Sequence, residues 1–124
     1  ALPISLGTGE KVVGGSVTLA GAVFFNTNQP AAPAPGVCGG NLGTARNYAL
    51  NFENAAATIN FTAATLGVAN RSTVRPGGGY PPTPVPVFVK INGRVQQVVV
   101  AGSTVLVPTA PPPPCRSPRE PRLR

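Results

Sequence analysis

Val85-Pro86-Val87-Phe88-Val89-Lys90-Ile91-Asn92-Gly93-Arg94-Val95-Gln96-Gln97-Val98-Val99-Val100-Ala101 sets two Val-rich runs on either side of an Asn-Gly pair. Asn-Gly supplies the two positive-φ positions of a type I′ turn, whose twist matches that of the strands it joins. Val87, Val89 and Ile91 alternate along the first run, as a half-buried strand requires. Proline is confined to strand starts and edges, so Pro84 and Pro86 mark where that strand begins. The stretch predicts a β-hairpin, and the rest of the chain agrees with it.

Working outward, Lys11 to Asn28 predicts a second hairpin, with Val17 and Leu19 on one arm, Val23 and Phe25 on the other, and Ala20-Gly21 at the bend. A third pair is expected from Tyr48 to Phe52 and from Ala57 to Phe61, joined through Glu53 and Asn54. A short last strand is expected over Thr104 to Val107. Between these lie two Pro/Gly segments, 29 to 44 and 70 to 84, that read as loops. The layout is all-β, strands in pairs separated by long loops, and suits propeller blades or a small sandwich.

Composition supports this. The 124 residues include 15 Gly and 16 Pro, both poor inside helices. Hydrophobic residues make up 42% and aromatics 6%, so the core must rest on Val, Ile, Leu and Ala, with Phe24, Phe25, Phe52, Phe61 and Phe88 as its largest pieces. No apolar run reaches the ~18 residues of a membrane span. The chain starts at Ala1 and shows no signal-peptide pattern, which reads as a processed protein or an excerpt. The foldable body is expected over about residues 5 to 107. From Pro108 onward, Pro111 to Pro114 favour polyproline II, and the Arg-Pro tail has nothing to bury and reads as disordered.

The formal charge is +7, of which Arg116, Arg119, Arg122, Arg124 and Glu120 contribute +3 at the end of the chain. The body is only mildly basic and lacks the stacking aromatics of a nucleic-acid binder, so no nucleic-acid partner is expected. Catalysis is not expected either. There is no His and no Asp, and the carboxylates are Glu10, Glu53 and Glu120. Nucleophile and base pairs, zinc sites and EF-hand loops therefore lack their residues. A Glu10 and Glu53 pair is the remaining arithmetic possibility for two-carboxylate chemistry, against the plainer reading of exposed strand-end glutamates. Gly77-Gly78-Gly79 runs into Tyr80-Pro81-Pro82 rather than opening a helix, so it is no phosphate cradle. No cofactor or metal is expected in this segment.

Cys38 and Cys115 are the candidate disulfide partners. Closing so long a loop contributes roughly 4 kcal/mol, with free thiols or outside partners as the alternatives. Asn60-Phe61-Thr62 and Asn70-Arg71-Ser72 fit the N-glycosylation pattern, a triplet that arises often by chance.

Three stretches carry a family resemblance. Gly9-Glu10-Lys11-Val12-Val13, with the hairpin ending Phe24-Phe25-Asn26-Thr27-Asn28-Gln29-Pro30, resembles the C-terminal propeller region of PilC/PilY-type pilus proteins. Cys38-Gly39-Gly40-Asn41-Leu42-Gly43-Thr44-Ala45-Arg46-Asn47-Tyr48-Ala49 is similar to that family's segment leading into a strand. Gly77-Gly78-Gly79-Tyr80-Pro81-Pro82-Thr83-Pro84-Val85 is similar to its loop before the next hairpin. All three fall in the family's order, over roughly residues 9 to 102. The resemblance implies that residues 1–107 form one or two terminal blades of a larger β-propeller, followed by the tail 108–124. It implies a protein of the pilus tip or outer surface of a Gram-negative cell, extracellular, supporting type IV pilus assembly and cell adhesion. Pilus subunits, other assembly proteins or a host surface would be its partners, and calcium would bind elsewhere in the full-length protein. The family's closing strand, rich in Tyr and Trp, is replaced here by Arg116 to Arg124.

The alternative reading is an independent extracellular β-sandwich that binds a surface or a carbohydrate. Arg46, Tyr48 and Tyr80 are the candidate contact residues, since sugar sites use exposed aromatics with polar neighbours.

Overall fold

The computed structural model describes residues 4–36, 40–62 and 66–108. They form two antiparallel sheets. The first runs in the order β1 (Lys11–Leu19), β2 (Ala22–Gln29), β3 (Thr44–Asn51), β4 (Ser72–Arg75). The second runs β5 (Val85–Ile91), β6 (Arg94–Ala101), β7 (Thr104–Leu106). Chain neighbours are sheet neighbours throughout, so both sheets are meanders. One 3₁₀ turn, Val68–Arg71, leads into β4.

The turns form where the sequence predicts them. Asn92 and Gly93 have φ of 50° and 79°, both positive as a type I′ turn requires. Ala20 and Gly21 repeat the pattern at 50° and 78° between β1 and β2.

The register places the core. Leu19 opposes Ala22, Val17 opposes Phe24, and Phe24 opposes Ala49, so these side chains share one face of the first sheet. That face packs on Val99, Ala101 and Leu106 of the second sheet, with Ile59 and Phe61 from the β3–β4 connection closing the side. Phe24 is fully buried, and small Ala residues around it let the two sheets approach. Burying such a side chain stabilises by about 2–3 kcal/mol.

A bulge also links the sheets. β1 loses register between Val13 and Val17, where Gly14 has φ +74°. The Gly15 N–H donates to Thr83 Oγ1 at 3.0 Å, and a Cβ on Gly14 would lie 2.9 Å from the same oxygen. The missing side chains let the segment before β5 lie against β1.

Three expectations change. The third hairpin does not form: Leu50 makes a single bridge to Ala57, and β3 pairs instead with β4, four residues inside the segment that reads as loop. Phe25, Phe52 and Phe88 are not core: Phe25 alternates onto the face of the first sheet opposite Phe24, and Phe52 and Phe88 are 57% and 73% exposed. Phe52 sits in the turn after β3, and Phe88 opposes Gln97, in the part of the second sheet that stays exposed. Glu10 is not exposed but buried, at 8%. Cys38, Cys115 and the tail expectation from residue 109 onward lie outside the described residues.

Candidate functional site

Two polar constructions and one apolar projection distinguish the molecule. The first construction lies on the face of the first sheet away from the core, which Phe25, Thr27, Arg46 and Tyr48 share by register. Gly7 to Glu10 forms a tight turn, the Glu10 N–H donating to the Gly7 carbonyl at 2.9 Å. This turn drops the Glu10 carboxylate onto the sheet. Gly7 N–H donates to Oε2 at 2.8 Å, while Thr27 Oγ1 and Tyr48 OH (3.0 Å) donate to Oε1. Tyr48 stacks on Phe25 with ring centroids 4.8 Å apart.

Burial alone pushes the Glu10 carboxyl up, because a charge loses hydration there. The hydrogen bonds from Thr27, Gly7 and Tyr48, with the Arg46 charge, outweigh it and hold the group below its ordinary range. Tyr48 moves the other way. Burial, the bond to Glu10 and that carboxylate's charge raise its phenol, against the opposing pull of Ser72 and Arg46. The ensemble is a satisfied buried ion site whose role is to tie the N-terminal turn to β2 and β3.

The second construction occupies the core-side face beyond the apolar cluster. Asn26, Asn28 and Asn47 are buried there. Asn28 Nδ2 donates to Leu42 O (3.0 Å) and Gly79 O (2.6 Å), and Asn26 Nδ2 donates to Pro82 O (2.6 Å). Gly79 N–H donates to Leu42 O at 2.9 Å. One strand amide thus fastens two distant loops to each other. Glycine is required at this junction, since a Cβ on Gly43 would strike the Gln29 carbonyl and one on Gly78 the Gly43 carbonyl, both at positive φ.

The candidate contact residues separate. Arg46 and Tyr48 share a face of β3, but Tyr48 is only 8% exposed and spends its hydroxyl on Glu10. Tyr80 is 78% exposed, on the loop that Asn28 fastens. Of the acceptor-pattern asparagines, Asn70 is buried, its Oδ1 accepting from Phe61 N–H and Thr62 N–H at 3.1 and 3.0 Å. Its side chain is a staple inside the β3–β4 connection.

Glu10 and Glu53 stand apart. The Glu10 carboxylate sits on Thr27, while Glu53 follows Asn51, which opposes Ala22 near the other end of β2. Thr27 and Ala22 are about 17 Å apart at the usual strand rise, well beyond the reach of two-carboxylate chemistry. Among the described residues no group of three His, Cys, Asp or Glu could hold a metal, and no helix is long and apolar enough to cross a membrane. An open cleft of about 250 Å³ is lined by Ala56, Ala57, Leu66, Gly67, Val68 and Arg71, with no carboxylate or nucleophile.

The sequence reading took Glu10 as exposed and gave the three buried asparagines no structural role. The available signal was Asn26-Thr27-Asn28, a polar run inside a strand, where Asn is disfavoured unless its amide has a partner. No protein-family model, curated protein or solved structure matches this chain.

Proposed function

We propose that this chain is a non-enzymatic structural and interaction segment of a type IV pilus biogenesis and adhesion protein, extracellular and built as consecutive β-propeller blades. The observation that carries the reading is the clamp at Asn28. It fastens Leu42-Gly43 to Gly78-Gly79, and these belong to two of the three stretches that resemble the PilC/PilY propeller region. Their separate motifs thus serve one structural purpose. The strand layout is compatible: a four-stranded meander followed by a three-stranded one has the order of successive blades. Chemistry points the same way, since the buried carboxylate is occupied by three donors and Glu53 is alone on an exposed turn.

The test is binding of the purified chain to sheared type IV pili immobilised on a sensor surface. Saturable binding is expected. Its absence, together with a cooperative melt above about 65 °C characteristic of a self-sufficient domain, would replace this reading.

A second reading, an independent β-sandwich binding a carbohydrate, is favoured by one observation: the two sheets share a single core of Ala22, Phe24, Ala49, Val99, Ala101 and Leu106. Its candidate aromatic platform is reduced to Tyr80, because Tyr48 is buried. A glycan array on which Tyr80→Ala abolishes a specific response would establish it.

A further inference from the structure

We infer that the distal half of the β5–β6 hairpin is a membrane-surface probe that inserts shallowly into anionic lipid. This goes beyond the pilus reading and needs only the hairpin itself.

The second sheet outruns its core. In β6, burial begins at Val98, and Arg94 to Gln97 are all exposed. Those four residues project about 13 Å at the usual strand rise. Large apolar side chains stand exposed within this projection, where no other strand among the described residues lies against them. Phe88 is 73% exposed, Val95 69% and Ile91 40%.

Their placement distinguishes between occupants. Phe88 opposes Gln97 and Lys90 opposes Val95, so Phe88, Lys90, Val95 and Gln97 share one face. Ile91 and Arg94 oppose each other on the other face. A groove on another protein desolvates one face of a ribbon and leaves the other wet. A lipid interface surrounds both, so apolar side chains on both faces favour it.

Charge fits the same surface. Lys90 and Arg94 sit one on each face, at the level of Val95 and Ile91. Between Glu53 and Glu120 the sequence has no carboxylate, so nothing near the tip in sequence repels an anionic headgroup. Long basic side chains reach up to phosphates while their stems stay in apolar surroundings. Asn92-Gly93 at the apex and Gln96 and Gln97 behind keep insertion shallow, at the depth of ~5–10 Å where an interfacial element lies.

The experiment is co-sedimentation of the 124-residue chain with vesicles of phosphatidylcholine containing 30% phosphatidylglycerol, against pure phosphatidylcholine, in 0.1 M salt. Binding to the anionic vesicles is expected. Phe88→Thr with Val95→Thr keeps strand propensity and should weaken it about tenfold or more. Lys90→Gln with Arg94→Gln should weaken it about thirtyfold, at the usual contribution of a cation near such a surface. A far-ultraviolet circular dichroism spectrum matching the parent shows that each variant keeps its strands. No binding by the parent chain overturns the proposal. So does binding that the Phe88 and Val95 pair leaves unchanged, which would assign it to the Arg-rich tail. Capture by sheared pili but by neither vesicle gives the hairpin to a protein groove instead and equally overturns the lipid assignment.

Discussion

The two sheets use similar residues to opposite ends. Both are meanders of Val, Phe and Ala strands with a positive-φ turn in the first hairpin. In the first, Phe24 opposes Ala49, faces Val99, Ala101 and Leu106, and is fully buried. In the second, Phe88 opposes Gln97 and stands 73% exposed. Alternation decides which side chains share a face. Whether anything lies against that face is decided by how far two sheets overlap, and the strand itself carries no record of that.

The sharpest way to break the comparison is to remove its buried half. Phe24→Ala should cost about 4 kcal/mol, transfer and cavity terms together, and both sheets should lose structure in one urea transition because the cluster is shared. Separate transitions would mean that the sheets are stable independently. Gly43→Ala should cost about 3 kcal/mol, since a side chain at that positive φ meets the Gln29 carbonyl and pushes apart the loops held by Asn28. A loss under about 1 kcal/mol would show that the loop junction yields readily.

Glu10 offers a pH-dependent version of the same contrast, because the second sheet contains no carboxylate. Glu10 is held below its ordinary value in the fold. The unfolded state therefore binds its proton more readily, and the stabilisation is present above the unfolded value and lost as pH falls through the folded one. Tyr48 is raised, so its contribution is complete below the ordinary phenol range and is lost as pH rises through the folded value. Stability should thus fall on both sides of neutrality. Glu10→Gln should flatten the acid limb, and Glu10→Ala should cost about 2–3 kcal/mol by leaving two buried donors, Thr27 and Tyr48, without their acceptor. Denaturant midpoints measured from pH 3 to 11 check both; an acid limb unchanged in Glu10→Gln would assign it to other groups.

These particulars show what the chain made legible. The Asn92-Gly93 turn was readable because a turn is local and Asn and Gly both tolerate the positive φ it needs, whereas the Ala20-Gly21 turn was marked by its Gly alone. β4 was not. Ser72-Thr73-Val74-Arg75 lies among Pro, Gly and Asn, and becomes a strand only because Tyr48 to Ala45 offers it a free edge. Glu10 was unreadable for the same reason: a lone glutamate before a Val run looks exposed until Thr27 and Tyr48 arrive from other strands. Of the expected contact residues, Tyr48 lies on the outer face of the first sheet, where Phe25 and the Glu10 turn cover it. Tyr80 stayed outside on its Gly-rich loop.

The smallest expected effect is the most informative. Phe88→Thr removes a residue as large as Phe24, from a strand with the same alternation, yet it should change stability by less than about 0.5 kcal/mol. The side chain is already in water, so unfolding exposes little more of it, and Thr serves an exposed strand position equally well. Because the opposing Gln97 is also exposed, no cavity forms. Measured beside Phe24→Ala in the same denaturant series, the two substitutions separate burial from residue type. A cost near 3 kcal/mol for Phe88→Thr would mean that the hairpin folds back onto the chain in solution, removing both its exposure and its availability to lipid.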